Sequence, residues 1–265
     1  MTKQPRYAAG RARALGLPTR GTTAPNRLRR VDRHLLDVHA DLIRSADDPL
    51  VIDLGYGASA VTAVELHRRL RALRPEARLV GLELDQARVD AALPSASDGL
   101  TFQRGGFELA GLRPLVVRAL NVLRQYDESA ALDAWTTMTA GLQPDGIVLE
   151  GTCDELGRRA AWVTLTREGP QTLTLAVHLK SLDRPSDLAE RLPKALIHHN
   201  VPGRPVHALL RALDEAWDRS AAMAAFGNRQ RWAAMCESLV WDQAGRRRDG
   251  EVTVPWSTVA PVGSH

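Results

Sequence analysis

From Leu28 onward the apolar positions Val31, Leu35, Val38 and Leu42 recur at intervals of four, three and four, which predicts an amphipathic helix ending near Ser45. Asp47-Asp48-Pro49 breaks that pattern, because the residue before a proline is pushed out of the helical region. Leu50-Val51-Ile52-Asp53-Leu54 then reads as a short, almost wholly apolar strand, the kind found in parallel sheets covered on both faces. Gly55-Tyr56-Gly57 makes a turn, and Ala63, Leu66, Leu70 and Leu73 predict a second helix, which Pro75 stops. Arg78 to Leu84 is the next strand and completes a β-α-β unit with a right-handed crossover. Asp85 to Leu93 predicts a short helix, and Leu100 to Arg104 and Leu115 to Asn121 two more strands. Ser129 is placed to cap a helix carrying Ala131, Trp135, Met138 and Leu142. Pro144-Asp145-Gly146 turns into a fifth strand at Ile147-Val148-Leu149.

The rhythm then changes. Ala161 to Thr166 and Thr172 to Leu179 alternate apolar and polar residues about a central turn, which predicts an antiparallel hairpin. After Pro185 the spacing of Leu188, Leu192 and Leu196, of Val206 to Trp217, and of Trp232, Met235 and Leu239 is helical. Trp217 and Trp232 are read as core anchors of these helices. Glu251 to Trp256 alternates again as a strand that Pro255 confines to a sheet edge. The expected fold class is α/β: a doubly wound, Rossmann-like, mostly parallel sheet with a terminal antiparallel hairpin and added C-terminal helices. The expected division is a basic irregular arm over residues 1–27, a Rossmann-like domain over 28–182 and a helical appendage over 183–265.

Composition narrows the setting. The chain has 265 residues, 44% hydrophobic and 25% charged, which disfavours wholesale disorder and a fibrous architecture. No apolar run reaches the roughly 18 residues of a membrane helix, and Met1 to Arg13 carries no secretory pattern, so a cytoplasmic protein is expected. The two cysteines, Cys153 and Cys236, lie in no metal-ligand spacing, so neither a disulfide framework nor a metal site is expected. Net charge is +4, but residues 1–34 hold nine Lys or Arg against the single acid Asp32, a balance of +8 that leaves −4 on the rest. A basic arm on a mildly acidic body suits an anionic partner, nucleic acid or a phosphorylated substrate among them.

In an open α/β sheet the ligand sits at the carboxyl ends of the strands, which directs attention to Asp53-Leu54-Gly55-Tyr56-Gly57-Ala58-Ser59. Glycines there let the backbone approach a ligand with no Cβ in the way. Gly55 to Ala60 satisfies the dinucleotide pattern G-x-G-x-x-A, so a nicotinamide- or flavin-dependent oxidoreductase is one reading. Two acids favour another adenosine cofactor. Asp53, at the strand end, repels a pyrophosphate and attracts an ammonium group. Glu83, the acid placed to grip a ribose, lies 28 residues beyond Gly55, where the dinucleotide pattern expects about 20.

Over about residues 48–150 the chain resembles the class I S-adenosylmethionine-dependent methyltransferases, and as a whole an actinobacterial group of them. Val51-Ile52-Asp53-Leu54-Gly55-Tyr56-Gly57 is similar to that family's first motif, and Val80-Gly81-Leu82-Glu83-Leu84-Asp85 to its second. Leu142-Gln143-Pro144-Asp145-Gly146 is similar to the turn before its fifth strand. The resemblance implies S-adenosylmethionine as cofactor, with Asp53, Gly55, Tyr56, Gly57, Glu83, Leu84, Gly106 and Phe107 around it and Glu83 on the ribose hydroxyls. Three departures stand out: Ser59 replaces a frequent glycine, Gly106-Phe107-Glu108 stands where Gly-Asp is usual, and Ala161 to Leu179 follows the fifth strand without an inserted helix. Phe107 is then expected to stack on the adenine.

The resemblance also implies in-line methyl transfer, largely by alignment, to an acceptor beside Asn121-Val122-Leu123-Arg124-Gln125-Tyr126. Asn121 orients a nucleophile or binds the cofactor in this reading, and Arg124 and Tyr126 line the acceptor pocket. His198-His199 supplies a candidate base, against the plainer reading of a helix end. The segments Thr19 to Thr23 and Asn26 to Arg30 are expected to fold over cofactor or substrate. The remaining alternative is a protein that binds S-adenosylmethionine or RNA without catalysis.

Overall fold

The computed structural model describes residues 24–239, 246 and 249–261. Its helices are α1 (Arg29–Val38), α2 (Ala40–Ser45), α3 (Val61–Leu73), α4 (Gln86–Ala92), α5 (Glu128–Ala140), α6 (Lys194–Ile197), α7 (Pro205–Arg219) and α8 (Asn228–Glu237). Its strands are β1 (Leu50–Leu54), β2 (Arg78–Glu83), β3 (Leu100–Arg104), β4 (Val116–Leu120), β5 (Ile147–Cys153), β6 (Arg159–Thr166), β7 (Gly169–Val177) and β8 (Glu251–Pro255). They form one eight-stranded sheet in the order β3-β2-β1-β4-β5-β6-β7-β8. The first five strands are mutually parallel, and β5 to β8 are antiparallel neighbours. This is the expected α/β, Rossmann-like architecture. The strand order reverses between β1 and β4, so the crevice for a ligand lies at their carboxyl ends.

The sheet buries apolar side chains on both faces, which is why its parallel strands read as near-continuous apolar runs. One face carries α1 to α4, with Leu35, Ile43, Leu66 and Leu70 in a common cluster. The other carries α5 and the C-terminal helices, whose Leu213, Trp217 and Trp232 share one cluster with Trp135, Val163 and Leu175. Trp217 and Trp232 are thus core anchors, as the helical spacing suggested. Pro255 lies in the edge strand β8, opposite Thr172.

Local details depart from the sequence reading. The helix expected as one piece to Ser45 is interrupted at His39, whose backbone (φ −109°, ψ 24°) leaves the helical region while its N–H still reaches the Leu35 carbonyl. Asp127, and not Ser129, caps α5: its Oδ1 accepts from the Ala130 N–H at 2.8 Å, and Ser129 donates to that same oxygen. The fifth strand runs on to Cys153, and a tight turn at Asp154, whose carboxylate accepts three backbone N–H groups, leads straight into β6. The C-terminal half of the sheet is therefore a meander with no helix between β5 and β6.

Candidate cofactor and acceptor site

The turn after β1 is built as its glycines require. Gly55 (φ +68°) and Gly57 (φ +84°) both occupy the left-handed region, and a Cβ on Gly55 would meet Val122 Cγ2 at 2.8 Å. The Gly55 N–H donates to the Leu82 carbonyl at 2.7 Å, fastening the turn to the end of β2. There Glu83, 9% exposed, folds back over the turn: Oε2 accepts from the Gly57 N–H at 3.1 Å and Oε1 from the Leu84 N–H at 3.0 Å. Arg88 stands 3.5 Å from the same carboxylate. Leu84 is exposed beside Gly106, whose N–H donates to Glu108 at 2.7 Å. A carboxylate, two left-handed glycines, an exposed leucine and a glycine backbone therefore converge at the carboxyl ends of β1, β2 and β3.

Two aromatic residues of the expected set have other neighbours. Tyr56 is buried edge-on against Phe102 at 5.3 Å, over the bare Gly81, and its hydroxyl donates to the Arg88 carbonyl. Burial pushes its pKa up to about 12, so it stays protonated. Phe107 meets the buried Tyr126 edge-on at 5.4 Å, which joins the β3 and β4 loops into one apolar wall.

Asp53 differs from the expectation that it meets an ammonium group of the cofactor. Both its oxygens accept from the Arg118 guanidinium of β4, at 2.9 and 2.6 Å. Arg118 also donates to Asp32 of α1 and to the Thr62 carbonyl, and Arg69 of α3 binds the other oxygen of Asp32. Asp32, Asp53 and Arg118 are all buried, so this is an internal ion network beneath the glycine turn. The guanidinium between two carboxylates is held firmly charged. Its signal in the sequence was an arginine inside a strand that is otherwise apolar, matched by the aspartate in β1.

At the ends of β4 and β5, Asn121 adopts φ +65° and clasps Cys153: its Oδ1 accepts from the Cys153 N–H at 2.9 Å and its Nδ2 lies 3.1 Å from Sγ. Arg27, from the segment expected to fold over the site, donates to the carbonyls of Asp154 (2.9 Å) and Cys153 (3.4 Å). Asn26 reaches Glu65 and Arg69 of α3, so this segment crosses the carboxyl edge of the sheet. Thr19 to Thr23 lies outside the described residues. Arg124 is exposed and donates no hydrogen bond among them; partial burial, then the nearby Arg191, lower its pKa. His198 is exposed, and His199 pairs through Nε2 with Glu128 at 2.6 Å. Arg191 is a site neighbour that no local pattern marked, because only the folded chain brings it to β5.

Among the described residues no cluster of His, Cys, Asp and Glu is arranged to hold a metal ion, and no helix is long and apolar enough to cross a membrane. Both cysteines are buried and in no disulfide. No protein-family model matches the chain, and neither does any curated protein. Solved structures that align with it include magnesium protoporphyrin IX methyltransferase from Synechocystis PCC 6803 with bound S-adenosylhomocysteine, at 17% identity over 48% of this chain and 55% of that one, TM-score 0.38. The plantazolicin methyltransferase BamL, in complex with a triazolic desmethyl analogue and S-adenosylhomocysteine, aligns at 11% identity over 48% and 47%, TM-score 0.38. The citrinin polyketide synthase CMeT domain aligns at 15% identity over 43% and 31%, TM-score 0.36. This chain spans about half or less of each of these proteins.

Proposed function

We propose that the chain is an S-adenosylmethionine-dependent methyltransferase. The observation that carries this reading is Glu83, a carboxylate at the end of β2 lying against the glycine turn that follows β1. Each of its oxygens accepts one backbone N–H and keeps lone pairs for a ribose hydroxyl. Gly55 and Gly57 bring bare backbone to the methionyl part, and Leu84 and Gly106 flank the adenine. Phe107 and Tyr126 close that side. When bound, the cofactor would supply a sulfonium methyl open to in-line displacement by an acceptor nucleophile. The chain's own contribution is then alignment, with the acceptor held against Arg124 at the β4 and β5 ends.

Replacing Glu83 by Ala removes charge-assisted hydrogen bonds worth about 1.5–3 kcal/mol, so affinity for S-adenosylhomocysteine should fall roughly 10- to 150-fold in calorimetry. An unchanged affinity refutes the ribose assignment. A second reading, a dinucleotide-dependent oxidoreductase, gains from the Asp53–Arg118 pair, because a neutralised Asp53 no longer repels a pyrophosphate. The two readings separate in one melting experiment. S-adenosylhomocysteine at a hundred times its Kd should stabilise the protein by about 2.7 kcal/mol while NAD(H) leaves the melting temperature unmoved. The reverse outcome selects the oxidoreductase.

A further inference from the structure

Three arginines far apart in sequence meet at the carboxyl end of β5. Arg27 is bonded to the carbonyls of Cys153 and Asp154. Arg191 is fixed one residue earlier, where the Thr152 hydroxyl donates to its carbonyl. Arg124 follows, by one turn of chain, the Asn121 that clasps Cys153. Their partners leave cationic capacity over. The Arg124 guanidinium has no hydrogen-bond acceptor among the described residues, and its electrostatic neighbours include Arg191 and Cys153. Arg191 makes one long contact, 3.4 Å to Glu190, and Arg159 binds the same oxygen at 3.2 Å.

The acids facing Arg124 are Glu155 and Glu190, and Glu190 is already shared by Arg159 and Arg191. Asp154 points its carboxylate into its own turn, onto the N–H groups of Leu156, Arg158 and Arg159. Arg124, which has no acceptor among the described residues, and Arg191, whose one long contact is to a carboxylate shared with Arg159, repel each other, and an incoming anion relieves that repulsion. The guanidinium fork matches the two oxygens of a carboxylate or phosphate.

We propose that Arg124 and Arg191, with Arg27 behind them, form a binding site for an oxyanion, the carboxylate or phosphate group of the acceptor. Its meaning as an acceptor site rests on the methyltransferase reading; the anion site itself does not. The acceptor class is then an acidic molecule whose charged group anchors at β5 while its nucleophile faces the turn after β1.

The test uses the full chain in phosphate-free buffer at constant ionic strength, with inorganic phosphate and acetate as probes and chloride as control. One or both oxyanions should raise the melting temperature saturably beyond chloride, and Arg124→Gln/Arg191→Gln should weaken that response about tenfold or more. Arg124→Lys, which keeps the charge and loses the fork, should fall between them and guards against a folding defect in the double variant. A stronger response to phosphate assigns a phosphorylated acceptor, and a stronger response to acetate a carboxylic acid. No response beyond chloride, or an equal response in the double variant, overturns the proposal. S-adenosylhomocysteine titrated into the same wild-type protein separates the two readings. Failure there removes the methyltransferase, whereas loss of the oxyanion response with that binding intact removes only this site.

Discussion

Arg118→Met is expected to lower the free energy of unfolding by about 3–5 kcal/mol, read as a shift of the urea midpoint at constant slope. The size follows from what the substitution leaves behind. Asp53 would lose both of its hydrogen bonds and Asp32 one of its two guanidinium partners, and both carboxylates are buried, at 2% and 0% exposure. An uncompensated buried charge is far costlier than the loss of a net-weak ion pair. Adding Asp53→Asn and Asp32→Asn to Arg118→Met should therefore recover a large part of the loss, because neutral amides carry no unpaired charge. A loss below about 1 kcal/mol in the single variant contradicts a tightly paired network. The network also ties α1, β1, β4 and the start of α3 together directly under the glycine turn. On the methyltransferase reading, its rupture should weaken S-adenosylhomocysteine binding although neither Glu83 nor a turn glycine is changed.

Glu150 sets the second large effect, and its signature is a pH profile. It lies at 1% exposure in β5, one oxygen accepting from Trp135 Nε1 at 3.0 Å and the other with no hydrogen-bond partner. Burial, partly offset by the Trp135 bond, pushes its pKa from 4.5 up to about 8. Below about pH 4.5 the carboxyl is protonated whether the chain is folded or not, and the group has no effect on stability. Between there and about pH 8 the unfolded chain ionises while the folded chain keeps its proton, so stability falls as pH rises. Across that interval the fall amounts to roughly 4–5 kcal/mol. Glu150→Gln, which preserves the acceptor for Trp135, should remove this slope and be more stable than wild type at pH 8, with little difference near pH 4.5. Parallel stability curves for the two proteins would show that Glu150 does not titrate with folding.

The parallel half of the sheet was legible because its central strands are short apolar runs closed by a turn residue, and such signals are local. The glycine turn and Glu83 were legible for the same reason: two left-handed positions and an acid at a strand end are written in adjacent residues. The α5 cap was misplaced because Asp127 and Ser129 both suit that position, and only geometry shows that Asp127 accepts from Ala130. Asp53 was assigned to a ligand because its actual partner, Arg118, is 65 residues away. Of the arginines at β5, Arg191 escaped notice likewise: it meets Thr152 across 39 positions, and charge counting cannot tell a solvated guanidinium from a docked one.

The docking of α1 has a consequence for the order of assembly. His34 pairs with Glu251 at 3.0 Å, and Arg30 donates to the Asp249 carbonyl at 2.9 Å and to that of Gly157 at 3.2 Å. Asp249 and Glu251 are the last of these α1 partners to be made: Arg69, Arg118 and Gly157 all precede them in the chain. The segment ahead of it, through Asn26 and Arg27, finds Glu65, Arg69, Cys153 and Asp154, all made before β8. α1 is therefore seated in two stages, first on β4 and α3 and then, when the sheet gains its final strand, on β8.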